Sequence, residues 1–223
     1  TVLPKGMAYI DTKEAAKVFV SSTFAGIFTD AFVNGLSDPV KPLNKANAVF
    51  NGLQLGTNFI AYPVAQRILH DNLKIYRKKE KKNDLIFIYG ANALLTAAIV
   101  TGINYPISKV QEAYNNKKAT VSFKSLSKYF ADQTLQNIGF PVVNDYLEKK
   151  IPIPKDSLSR YLRSSSIASL ASLSGSLASL PLYIKDNETF GKTISSWIKS
   201  IPGIMCTNDS FAHFSNVIKK VGI

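Results

Sequence analysis

Runs free of Asp, Glu, Lys and Arg set the pattern of this chain. Three are long: Ala46–Gln66 with 21 residues, Leu85–Ser108 with 24 and Ser164–Ile184 with 21. Each reaches the ~20 residues that a helix needs to cross a bilayer. Three shorter runs lie among them, Val18–Thr29, Gln133–Asn144 and Ser200–Asn208, cut off by Asp30, by Asp132 and Asp145, and by Asp209. Within the third long run Ser165, Ser169, Ser172, Ser176 and Ser179 recur at steps of four and three, and Leu170, Leu173, Leu177, Leu180 and Ile184 repeat one position along. That period is helical. Ala168, Ala171, Gly175 and Ala178 flank the serines, so one broad face carries only small residues, which lets helix backbones approach closely in lipid. The pattern predicts an all-α fold, a six-helix transmembrane bundle in which Ser165, Ser169, Ser172, Ser176 and Ser179 form a packing face. A soluble all-α protein with three unusually apolar core helices is the alternative reading of the same runs.

Prolines mark a repeat. Asp38-Pro39-Val40-Lys41, Tyr105-Pro106-Ile107-Ser108-Lys109 and Leu180-Pro181-Leu182-Tyr183-Ile184-Lys185 each stand near the end of an apolar segment, at spacings of 67 and 75 residues. A second series, Tyr62-Pro63, Phe140-Pro141 and Ile201-Pro202, leads in each case towards a basic helix end at Lys74, Lys149 or Lys219. The chain reads as one membrane domain over residues 1–223, built from three helix pairs at about 14–80, 83–152 and 155–223. Proline removes a backbone donor and crowds the preceding turn, so the helices bearing Pro39, Pro106 and Pro181 are expected to kink or end within a turn of them.

Three tandem two-helix repeats with a proline late in the first helix of each, together with the aromatic-x-Gly opening Phe50-Asn51-Gly52, Tyr62-Pro63 and Asp71-Asn72-Leu73-Lys74, resemble the mitochondrial carrier family. The resemblance extends from about Glu14 to Lys220. It implies residence in the mitochondrial inner membrane, termini facing the intermembrane space, kink prolines at Pro39, Pro106 and Pro181, and a second-helix motif at Phe50, Gly52, Pro63 and Pro141. The chain also departs from the family. Two positions past each proline, where the family has an acid, stand Lys41, Ser108 and Tyr183; three further on, where it has a base, stand Asn44, Gln111 and Asp186. Those acid–base pairs are understood to close one side of the family's cavity, so here that gate lacks its charges. Gly52 follows Pro39 by only 13 positions, too few for the family's short matrix helix in the first repeat.

Charge adds a partner class. The 223 residues carry 27 Lys+Arg against 15 Asp+Glu, a net charge of +12, while only 19% of residues are charged and 46% are hydrophobic. Such a chain favours anionic partners. The cluster Arg77, Lys78, Lys79, Lys81 and Lys82 lies between two expected spans without interleaved aromatic residues, which points to anionic phospholipid rather than nucleic acid. Basic loops lie on both sides, so the charges do not choose an orientation. No presequence or signal-peptide pattern is evident in the first residues.

Catalytic chemistry finds no foothold in the motifs. Cys206 is the single cysteine and reads as a buried small hydrophobe, while His70 reads as a helix-end residue and His213 as a partner for Asp209 one turn earlier. Gly191-Lys192-Thr193 imitates the end of a phosphate loop, but the leading glycine position is Asp186, whose charge repels phosphate. No catalytic residue, metal site or cofactor is expected. The missing gate pairs favour a structural role, a non-transporting accessory subunit packed against other integral subunits of a respiratory-chain or ATP synthase complex. An active solute carrier and a soluble helical module binding an anionic partner are the competing readings. Asp30 and Asp132, the acids nearest span interiors, would face a cavity or a protein partner.

Overall fold

The computed structural model describes residues 12–37, 44–73, 82–184 and 188–221. They form six helices: α1 Thr12–Ser37, α2 Lys45–Leu73, α3 Lys82–Tyr114, α4 Phe123–Lys150, α5 Ser157–Ser179 and α6 Phe190–Val221. No strand occurs among the described residues. The shortest, α5, has 23 residues, or roughly 35 Å at about 1.5 Å per residue, longer than the ~30 Å hydrocarbon core of a bilayer.

The connections show how the chain reverses. α3 ends where Asn116 takes φ 55. The Asn116 N–H donates to the Ala113 carbonyl at 3.0 Å, and the Lys117 N–H reaches back to the Glu112 carbonyl at 2.9 Å. This is the glycine-type helix stop with asparagine in the left-handed position. Ser122 then caps α4 by accepting from the Ser125 N–H at 3.1 Å. Asp156 caps α5 by accepting from the Ser159 N–H at 2.7 Å, and that hydrogen bond holds its carboxyl below the usual carboxylate range.

Each helix packs on its neighbours in sequence, and α1 also packs on α6, so the six close into a ring. Hydroxyls tie the closing seam, where Thr29 and Thr207 meet at 3.0 Å. Two crossings are close enough to require glycine. A Cβ on Gly52 would lie 2.6 Å from both the Thr23 carbonyl and Ile27 Cγ1, and one on Gly26 would lie 2.8 Å from the Gly52 Cα. On the opposite side of the ring, a Cβ on Gly139 of α4 would lie 2.8 Å from the Ser174 carbonyl of α5. Gly90 and Gly102 of α3 face open space.

Polarity runs inside out. Among the described residues the largest fully buried side chains are Ile88, Ile167 and Val100 together with Asn92, Asn104, Thr57, Thr96, Ser21 and Ser22. Large apolar side chains lie outside, as in the α1 row Val20, Phe24, Phe28 and Phe32 at steps of four, with Phe28 52% exposed. Phe87 is 66% exposed at the start of α3.

Of the three charge-free runs, only the second lies in a helix that is apolar enough as well as long enough to cross a membrane: Phe87–Tyr114, with a mean hydropathy of 1.4, is the one such span among the described residues. Freedom from charge is thus a weaker property than apolarity. Ala46–Gln66 carries Asn51, Gln54, Asn58 and Gln66, and Ser164–Ile184 carries its serines, and these lower the average.

The prolines fall in different settings. Pro63, Pro106, Pro141 and Pro202 sit inside α2, α3, α4 and α6. α3 continues past Pro106 to Tyr114, without stopping at the proline. α5 does stop, at Ser179, and Pro181 lies in the single tight turn Leu180–Leu182 that follows. Pro39 lies outside the described residues.

Candidate functional site

The ring is filled differently on its two sides. Towards the ends of α2 and α3 nearest the 115–122 turn, carboxamides form a ladder. Asn47, Asn51, Gln54 and Asn58 recur at steps of four, three and four, one stripe of α2. Facing them on α3 are Asn104, Gln111 and Asn115. Gln111 Nε2 donates to Asn51 Oδ1 at 3.0 Å, and its Oε1 accepts from Gln54 Nε2 at 3.1 Å. Asn47 and Asn115 donate to each other at 3.1 and 2.8 Å, and Asn104 Nδ2 donates to Asn58 Oδ1 at 3.0 Å. Asn51 Nδ2 donates to Asp30 Oδ1 at 2.7 Å, which brings α1 into the same network.

Between α4, α5 and α6 the corresponding space is open. A cavity of about 640 Å³ is lined by Asp132 and Gln136 of α4, Ser172, Ser176 and Ser179 of α5, and Trp197 of α6. Exposed Lys192, Ser196 and Ser200 stand at its mouth. A second cavity of about 480 Å³ reaches across the ring between α2 and α4, lined by Asn58, Tyr62, Pro63, Asn137, Pro141 and Asp145. Gln136 and Ser172 line both.

Asp132 is only 8% exposed. Gln136 Nε2, one turn on, donates to both of its oxygens at 3.0 Å. Asp145, also 8% exposed, accepts from the Tyr89 hydroxyl of α3. The indole of Trp197 is fixed by donating from Nε1 to the Ser169 carbonyl at 2.7 Å.

The expected serine face divides. Ser165 and Ser169 are buried towards α6, where Asn208 Nδ2 donates to Ser165 Oγ at 3.4 Å. Ser172, Ser176 and Ser179 line the cavity. The closest helix contact of α5 is made off that stripe, where Ser174 Oγ donates to the Gly139 carbonyl at 2.9 Å beside Gly175. Phe50 meets Tyr114 edge-on with ring centroids 6.1 Å apart, and Gly52 sits in the α1–α2 crossing. Pro63 and Pro141 both border the second cavity. Asp30 joins the ladder, and Asp132 alone of the two faces a cavity. His213 lies edge-on to Phe214 at 5.7 Å, and Cys206 is half-buried rather than enclosed, 3.8 Å from Ser210 Oγ. Arg77, Lys78, Lys79 and Lys81 lie outside the described residues, and Lys82 opens α3.

The ladder was not anticipated, although its four-three-four spacing in Ala46–Gln66 is a visible signal. Trp197 and Gln136 gave none, since nothing in the sequence shows that α4 and α6 share a cavity. No family model, curated protein or solved structure matches the chain.

Proposed function

We propose that the chain is an integral membrane protein whose six helices cross a bilayer, and that it is a structural subunit of a larger assembly in the mitochondrial inner membrane. The inverted polarity carries the membrane reading. In water, leaving Phe24, Phe28, Phe32 and Phe87 about half exposed forgoes roughly half of the ~1.5–3 kcal/mol that full burial of each side chain contributes. Asn92 is fully buried with neither end of its amide hydrogen-bonded, a further cost of roughly 1–3 kcal/mol. Lipid removes the first cost, because an apolar exterior is then solvated by acyl chains.

The amide ladder supports the structural role. Alternating access needs two packings of similar free energy. Between α2 and α3 several neutral amides pair in one register, and sliding either helix would unpair them at once. The mitochondrial location follows from the carrier resemblance, which rests on the proline series and on Phe50 and Gly52. Anionic phospholipid is the expected contact of the basic cluster around Lys79.

Alkaline carbonate washing of membranes, followed by native electrophoresis of a mild detergent extract, tests this reading. Retention in the membrane pellet and co-migration with a large complex are the expected results. Release into the soluble fraction would overturn the membrane reading and promote the soluble module. A second reading, solute passage, draws on the two cavities meeting at Gln136 and Ser172. Saturable uptake into vesicles holding the isolated chain would establish it over the structural role.

A further inference from the structure

Beyond a structural role, we propose that the cavity beside Asp132 is a binding site for a small organic ammonium ion. The chain as a whole is strongly basic, yet its interior has the opposite sign. Among the described residues, the charged side chains lining the two cavities are Asp132, Glu188, Lys192 and Asp145, three acids and one lysine. Lys192 stands exposed at the mouth, and Lys128 holds its ammonium 4.3 Å over the ring of Tyr183, another lining residue, whereas Asp132 is buried.

Asp132 is the centre of the argument. Both of its oxygens are engaged by one neutral amide nitrogen, that of Gln136 in its own helix. A carboxylate offers about four acceptor positions, so acceptor capacity remains towards the cavity. Burying a carboxylate beside a neutral partner alone is costly, and a cation in the cavity offsets that cost. The rest of the lining suits an ammonium group with an organic body. Ser172, Ser176 and Ser179 present hydroxyl oxygens, and Trp197 presents an aromatic ring held in place through Nε1, the kind of surface over which a quaternary or primary ammonium settles. A volume of about 640 Å³ is within the ~300–1,000 Å³ usual for small-molecule sites. A metal ion is a poorer fit, because no group of three His, Cys, Asp or Glu side chains comes together among the described residues.

Trp197 is the single tryptophan of the chain and lines this cavity, so its fluorescence reads the site directly. The experiment titrates choline chloride into the full chain in detergent micelles, against sodium chloride at matched ionic strength and against sodium citrate. A saturable fluorescence change with choline, absent with both controls, is expected. Asp132→Asn, with helicity unchanged by circular dichroism, should weaken it at least tenfold. Ser176→Leu keeps every charge and fills the cavity, and it should also abolish the response, which decides the matter if the first variant fails to fold. A change equal to that with sodium chloride, a saturable response to citrate, or a choline response that survives both variants would overturn the proposal. No bilayer is needed for this readout, so its failure is separate from failure of the carbonate test.

Discussion

The two sides of the ring are built from similar parts and differ in what they enclose. On the α1–α3 side, Gly26 and Gly52 bring α1 and α2 together, and the amides of α2 and α3 close on one another around Gln111. On the α4–α6 side, Gly139 brings α4 and α5 together nearly as closely, but the serines of α5 find no carboxamide row on α6 and line a cavity. Helix approach and cavity closure are therefore separate properties. Glycine sets the first, and the length and hydrogen-bonding capacity of the facing side chains set the second.

The close crossings also divide the ring unexpectedly. Three helix pairs predict alike crossings at α1–α2, α3–α4 and α5–α6. Glycine-dependent contact is found at α1–α2 and at α4–α5, three helices apart, while Gly102 of α3 faces open space and an apolar cleft of about 550 Å³ lies along α3 and α4 at Pro106. Proline spacing divides the sequence in threes; the small-residue contacts follow where two backbones meet.

The largest effect is expected where backbone meets backbone. Gly52→Leu places a side chain against the Thr23 carbonyl and should cost at the upper end of the ~1–3 kcal/mol typical of overpacking, read as a lower midpoint of unfolding in detergent. Gly139→Leu tests the equivalent crossing on the other side and should behave alike. If only one of the two destabilises, the likeness of the crossings is lost.

Next comes the difference in filling. Gln111→Leu leaves Asn51 and Gln54 without their shared partner and should cost about 1–3 kcal/mol. Gln136→Leu takes the amide from Asp132, but the serine hydroxyls and Lys192 of the same cavity remain beside the carboxylate, so it should cost less than Gln111→Leu, about 1 kcal/mol. Equal losses for the two variants would erase the distinction between a side whose amides pair across helices and one left open. A smaller effect of opposite sign is expected from Gly102→Ala, which meets nothing within 4 Å and should stabilise α3 by up to ~1 kcal/mol through helix propensity.

The last prediction concerns pH at the start of α5. The Asp156 carboxyl titrates below its ordinary range in the folded chain, so its capping contribution is complete above the unfolded value and fades as pH falls through the depressed one. The protection factor of the Ser159 amide against hydrogen exchange, corrected for the intrinsic rate at each pH, should fall on acidification through that window. Asp156→Asn should remove the pH dependence while keeping the cap, because an amide oxygen still accepts the Ser159 N–H. An unchanged pH profile in that variant would assign the effect to another group.

Helices were legible in the chain because their determinants are local. Ser122 and Asp156 start helices at the residues where a short polar side chain can reach back to a backbone N–H, and Leu and Ser phases in Ser164–Ile184 have the period of a helix over their whole length. The number of helices followed from such patterns, whereas Gly52 entered only through the carrier resemblance. Which face of each helix looks inward did not. Ser172 and Ser174 differ by two positions and are alike in chemistry, yet one lines a cavity and the other holds the Gly139 carbonyl, because the direction of α4 past α5 is set by where two glycines allow contact. Gln111 and Gln136 are the same residue type inside helices, yet one pairs with amides of a second helix and the other lines two cavities. The partners of Gln111, 57 and 60 residues away, exist only once the ring has closed, whereas that of Gln136 lies one turn away in its own helix; closure determines which polar groups meet across helices and which are left to line a cavity.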